Sequence, residues 1–307
     1  MKRPSLALVS ALLFSGAALA DAPRVATDIA PVHGLTARVM QGVGAPDLIV
    51  RRGASPHGYA LRPSEAAALE RADLVIWMGE PLTPWMQGAV ATLAEGAEVI
   101  ELLEVQGTNL LEYRETIKDH AHQETHADEA DHDHHDHHGV DPHAWLDPEN
   151  ATLWLNVIAG ALSDGDPENA AAYAANATAG ADEIRQASAE FEAMLSGFDA
   201  VHYMVFHDAY QYLEARFGLR PAAAIALGDA VAPGAARLRD LRETMRAQGV
   251  TCVFSEPQFS SALIDTIAEG MTVKRVELDP MGTTLDTGPQ FYPDLLRQMA
   301  AQMAKCL

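Results

Sequence analysis

The chain has 307 residues, 48% of them hydrophobic, and carries 43 acidic against 21 basic side chains for a formal net charge of −22. That balance repels phosphate backbones and anionic headgroups, so nucleic acid and acidic membrane surfaces are set aside as partners and cations are favoured. The length suits two lobes or one large domain.

In chain order, the first twenty residues read as an export signal. Lys2 and Arg3 form a basic start, Leu6 to Leu19 is an uncharged apolar run, and Ala18-Leu19-Ala20 is a small-x-small cleavage site before Asp21. The run is shorter than the ~20 apolar residues of a membrane span. The mature chain is expected to begin at Asp21, in the periplasm, with 19 basic and 43 acidic residues and a net charge of −24.

From there strands and helices alternate. Val25 to Ile29 reads as extended, Val32 to Gln41 as helix and Leu48 to Val50 as strand. Pro63 to Ala72 is a helix. Leu74 to Met78 is a continuous apolar strand, the pattern of a sheet buried on both faces. Thr83 to Leu93 returns as a helix and Val99 to Leu103 as a strand. The second half repeats the scheme, with strands at Tyr203 to Phe206, Ala222 to Leu227, Val250 to Phe254 and Val273 to Leu278. Its helices are Ala209 to Phe217, Ala235 to Gln248, Ser261 to Glu269 and Tyr292 to Lys305. Such alternation predicts an α/β fold of two lobes, each a parallel sheet with flanking helices. Between the halves a helix signal runs from about Asp166 to Leu195. It would be a rigid spine of ~45 Å, weakened by Gly180 and ended by Gly197. The expected division is a first lobe over 21–165, a linker helix over 166–196 and a second lobe over 197–307.

Residues 118–139 read KDHAHQETHADEADHDHHDHHG, with eight of the chain's thirteen histidines and seven carboxylates. With no apolar periodicity the segment cannot bury a core, so it is expected to be a mobile loop. His120, His122, His126, His132, His134, His135, His137 and His138 would bind borderline metals weakly at several sites. The two cysteines, Cys252 and Cys306, in an oxidising compartment point to one disulfide that ties the last helix to a core strand; two buried thiols are the alternative.

Three of the remaining histidines sit where a strand has ended or a helix is about to begin: His57 in GASPHGY, His143 in DPHAWLDPE and His207 in FHDAY. Asp279, in ELDPMG, also ends a strand. In open parallel sheets ligands gather beyond the carboxyl ends of strands, so these four residues are expected to face one crevice. Three neutral imidazoles and a carboxylate suit tetrahedral Zn²⁺; Mn²⁺ or Fe²⁺ would call for more oxygen. His33 and His202 read as structural.

The motifs GASPHGYALRPSE, ADLVIWMG, DPHAWLDPE, FHDAYQYLEARFGL, TCVFSEPQF and LDPMGT resemble those of the substrate-binding proteins of high-affinity zinc ABC importers, the ZnuA type. The His/Asp-rich loop and the cysteine pair look like that family too, and the resemblance spans the mature chain. It implies two α/β lobes joined by a backbone helix with metal between them, His57, His143 and His207 as ligands, and Zn²⁺ as cargo. It also implies a membrane permease as partner, with a periplasmic metallochaperone as a further one and a monomeric receptor. Where some members carry a ligating glutamate before the first histidine this chain has Pro56, so Asp279 or a water must complete the shell; Asp279 is preferred. The rivals are a secreted zinc hydrolase with an open three-histidine site and a metal buffer working through the loop alone. No H-E-x-x-H helix supports the first, and the second leaves the three loop histidines unexplained.

Overall fold

The computed structural model describes residues 22–114, 139–226 and 233–307. The expected export signal and all eight histidines of the 118–139 segment lie outside them.

The first half runs β1 (Val25–Thr27), α1 (Ala30–Val39), β2 (Asp47–Leu48), α2 (Pro63–Arg71), β3 (Leu74–Trp77), α3 (Pro84–Leu93) and β4 (Glu98–Glu101). Two long helices follow, α4 (Pro148–Gly165) and α5 (Ala170–Met194). The second half runs β5 (Tyr203–His207), α6 (Gln211–Phe217), β6 (Ala223–Ala226), α7 (Ala235–Ala247), β7 (Cys252–Ser255), α8 (Ala262–Ile267), β8 (Lys274–Glu277) and α9 (Phe291–Ala304). Each half builds a four-stranded sheet with the same plan, β2-β1-β3-β4 and β6-β5-β7-β8, every pairing parallel. Every residue of the central strands β3 and β5 is buried, which is why their sequences do not alternate. Acidic and basic residues fall on edge strands: β4 and β8 read EVIE and KRVE, and β2 carries Asp47.

β1 stops two residues earlier than its composition suggests. Asp28 turns its carboxylate onto the Ile29 N–H at 2.7 Å and the Met78 N–H at 2.8 Å. This ties the ends of β1 and β3 together in the core. Burial, the dominant effect, pushes the Asp28 pKa up to about 7 against those two hydrogen bonds.

The expected single helix over 166–196 is two elements. Asp166 leaves helical geometry at φ −142° and ψ 73°, a 3₁₀ turn covers Pro167–Asn169, and α5 then runs 25 residues. The reason is local: Pro167 lacks an N–H, and Asp166 Oδ2 accepts from Asn169 Nδ2 and from the Tyr173 hydroxyl, both at 2.7 Å, in place of continuing the helix. Helix α5 is about 38 Å long and packs on α4, α1 and α9, so it touches helices from both halves of the chain. Gly180, a weak helix former, is what this packing needs. A Cβ there would lie 2.9 Å from Arg38 Cγ and 3.1 Å from Leu155 Cδ1. Beside it Arg38 of α1 pairs with Glu183 of α5 at 2.9 Å. At the other end Gly197 adopts φ 87° and closes the helix.

Cys252 and Cys306 form the disulfide, their Cα atoms 5.9 Å apart. It joins the amino end of β7 to the residues after α9. Lys274 Nζ adds hydrogen bonds to the Lys305 and Leu307 carbonyls at 3.1 and 2.8 Å. Among the described residues no helix is long and apolar enough to cross a membrane.

Candidate metal centre

His57 lies in the loop after β2, His143 caps the 3₁₀ turn Ala144–Leu146 before α4, and His207 is the last residue of β5. One ligand nitrogen from each lies within 4.8 Å of the other two, and among the described residues no other three-ligand group of His, Cys, Asp or Glu is gathered this closely. His143 and His207 are buried and His57 half-buried. His33 and His202 lie outside the cluster. The first is tied to the Pro46 carbonyl at 3.1 Å and the second to the Gln248 carbonyl.

Two carboxylates that sequence reasoning passed over aim the rings. Asp141 Oδ1 meets His143 Nδ1 at 2.7 Å and also accepts the His143 N–H at 3.0 Å. Glu256, just past β7, meets His207 Nδ1 with both oxygens, at 2.8 and 2.9 Å. A carboxylate on Nδ1 fixes the tautomer with that nitrogen as donor and makes Nε2 the nitrogen that can ligate. The two Nε2 atoms converge to 3.3 Å. Two lone pairs so placed repel unless a proton or a cation stands between them. Two nitrogens bound about 2.05 Å from one ion at a tetrahedral angle stand about 3.3 Å apart, so the spacing fits zinc. The signals were present in sequence, Asp141 two residues before His143 and Glu256 next to a strand end. Only the β5–β7 pairing shows that Glu256 reaches His207.

Burial disfavours charge on His207, but the charge and hydrogen bond of Glu256, aided by Asp208 and Asp141, outweigh it and leave the His207 pKa raised. Burial pushes the Asp141 carboxyl up to about 7, against the His143 N–H and the charges of Arg114, His207 and His57. A proton therefore competes with any metal at this centre.

The walls are apolar. Trp145 packs 5.2 Å from the His143 ring and Phe259 5.5 Å from the His207 ring, centroid to centroid, and Met281 lines the same pocket. The His57 loop is braced by Trp85 Nε1, which donates to the Pro56 carbonyl at 2.7 Å.

Asp279, expected from the sequence to complete the shell, stands outside the three-histidine group. It is buried but does not join the cluster. Its Oδ2 accepts the Thr283 N–H at 2.5 Å, and its Oδ1 accepts the Met281 N–H at 3.1 Å and the Thr283 hydroxyl at 3.2 Å. The side chain caps the turn that carries Pro280 and Met281 into the pocket wall, a common role for Asp.

Known proteins share these features. The family model of the periplasmic zinc-uptake complex component A matches residues 25–306. The high-affinity zinc uptake system protein ZnuA of Paracoccus denitrificans is 41% identical, the alignment covering 100% of this chain and 99% of that protein. Its counterpart in Brucella abortus is 39% identical over 99% of this chain and 98% of its own length. Among solved structures, a crystal structure of ZnuA superposes with a TM-score of 0.77 at 22% identity, covering 93% of this chain and 99% of that one. A manganese complex of the binding protein FpvC from Pseudomonas aeruginosa superposes at 0.76 with 23% identity, covering 92% and 98%. At those identities the structures speak for the fold alone. The family match over nearly the whole chain and the full-length relatives settle the affiliation: this chain belongs to the periplasmic zinc-uptake complex component A family.

Proposed function

We infer that the chain is the periplasmic receptor that captures Zn²⁺ and passes it to the membrane permease of an ABC importer. The observation that carries the reading is the convergence of His143 and His207 Nε2 to 3.3 Å, with each ring held from behind by a buried carboxylate and His57 completing the cluster. That arrangement holds a cation and spends both neighbouring carboxylates on orientation. A hydrolase would instead keep one as a general base beside an open metal position. We take His57, His143 and His207 as the ligands. Asp279 is the proposed fourth ligand of the zinc-loaded state, entering by a side-chain rotation that releases the turn; a water is the alternative. The lobe boundaries at 165 and 197, cleavage after Ala20, a monomeric receptor and a metallochaperone as additional donor belong to the same reading. Deleting the gene should abolish growth in zinc-depleted medium, and added zinc should restore it. Growth equal to that of the parent would sink the uptake role.

The segment 118–139 is the proposed secondary store, its histidines binding zinc more weakly because each event must order a polar, unpatterned stretch. Removing it should lower the total zinc bound per chain while one tight equivalent persists. Equilibrium dialysis followed by metal analysis checks this. Loss of the tight equivalent would place the segment in the main site.

A further inference from the structure

We propose that Arg114 is a positioning residue for zinc retention, clamping the His207 loop to the His143 loop. The proposal rests on the three-histidine reading above. Arg114 follows a short antiparallel stem in which Glu112 bridges Val140, the Tyr113 N–H donates to the Gly139 carbonyl at 3.0 Å, and the Asp141 N–H donates to the Leu111 carbonyl at 2.8 Å. One arm of this stem thus ends in Asp141, which aims His143. The other ends in Arg114, whose Nε donates to Asp208 at 2.8 and 2.9 Å and whose Nη2 reaches Asp208 and, at 2.8 Å, Glu214. Asp208 is the residue after His207, and Glu214 lies in α6, the helix that follows. Residues on the two arms of one stem therefore fix two ligands, one that ends β5 and one that caps the turn before α4.

The clamp is strong for physical reasons. The Asp208 and Glu214 side chains are 8% and 5% exposed, and that of Arg114 is 24% exposed. Charge-assisted hydrogen bonds gain strength in such surroundings, and the planar guanidinium can serve both carboxylates at once. Neutral contacts run alongside. The Tyr212 hydroxyl of α6 donates to the Asp141 carbonyl at 2.8 Å and accepts the Leu111 N–H at 2.9 Å, and Gln211 Nε2 donates to the Glu112 carbonyl at 3.1 Å. Among the described residues, Arg114 alone forms ion pairs with the two buried carboxylates. Zinc leaves when a histidine withdraws, and drawing the His207 loop away from the His143 loop must first break this ion cluster. Arg114 touches no metal; it acts through His207 and His143.

The test uses the full mature chain loaded with one equivalent of zinc. Arg114→Gln should speed zinc release into an excess of a chromophoric chelator about tenfold, with Arg114→Lys intermediate because it restores the charge without the fork. The cobalt-substituted Arg114→Gln protein should show a shifted visible absorption band, which a merely structural role would not produce. A folded Arg114→Gln protein with parental release rate and cobalt spectrum overturns the proposal. If that variant does not fold, Arg114→Leu with Asp208→Asn and Glu214→Gln removes the buried charges together with the clamp. The same acceleration is then expected, and a parental rate is again fatal. His143→Ala is measured beside the parent. If the parent releases zinc as fast as His143→Ala, the three-histidine reading has failed and the clamp falls with it. If the parent is slow and Arg114→Gln equally slow, the clamp alone has failed.

Discussion

Replacing His57, His143 or His207 with Ala should weaken tight zinc binding roughly a hundredfold or more, with the fold intact. Binding at a four-ligand zinc site is worth on the order of 12 kcal/mol, so one ligand accounts for about 3 kcal/mol, or about two decades in affinity. The neighbouring carboxylates should matter less but measurably. Asp141→Asn and Glu256→Gln keep shape but change which atom donates to the ring, and outer-shell changes of this kind cost about 10- to 100-fold. Asp279→Asn should have the smallest effect. A carboxylate that ligates zinc must first release Thr283 and Met281, and three hydrogen bonds at about 1 kcal/mol each offset much of what coordination gains. Chelator competition on the six variants gives the order, and X-ray absorption on zinc-loaded Asp279→Asn reports whether an oxygen has left the shell. Parental affinity in any His→Ala variant removes that histidine from the site. An unchanged zinc shell in Asp279→Asn assigns the fourth position to water.

Breaking the Cys252–Cys306 bond should lower stability strongly and zinc affinity little. The bond closes a loop with a sequence separation of 54, worth at most about 4 kcal/mol in the chain-entropy picture. For a chain of this size that is a drop of roughly 10 °C in Tm. Cys252 opens β7 at its amino end, whereas Glu256 stands past its carboxyl end, about 13 Å away along the strand. The bond therefore fixes α9 at the end of the sheet remote from the metal centre. Thermal melts of Cys252→Ser with Cys306→Ser against the parent, with zinc affinity measured on the same samples, separate the two effects. A Tm within about 2 °C of the parent, or a collapse of zinc binding in the folded variant, would contradict this division of roles.

Much of this molecule was legible in its sequence, because its signals are local. Leu74 to Trp77 and Tyr203 to His207 are short apolar runs bounded by turns, and central parallel strands need no more than that to be recognised. Helices with Pro near their first turn, as at Pro63 and Pro84, announced their own starts. His57, His143 and His207 stood out because each falls at an element boundary, and the sheet rule sends such residues to one edge.

What the sequence withheld depends on which distant residues meet. The break at Asp166 turns on Tyr173 bonding back to it, which composition does not encode. Gly180 looked like a flaw in a helix and is a contact point, because with Arg38 and Leu155 this close a side chain there would force its neighbours to shift. Asp279 matches the histidines in its position at the end of a strand. Yet the backbone N–H groups of its own turn compete for its oxygens, and that competition is decided by turn geometry. Glu256 took on its role only when β7 paired with β5, and Arg114 only when the stem met α6. Residue types and spacing determined the sheets and the three histidines that gather. The tertiary structure decided that Glu256 aims His207, because a hydrogen bond between residues 49 positions apart is a property of packing and not of the local chain.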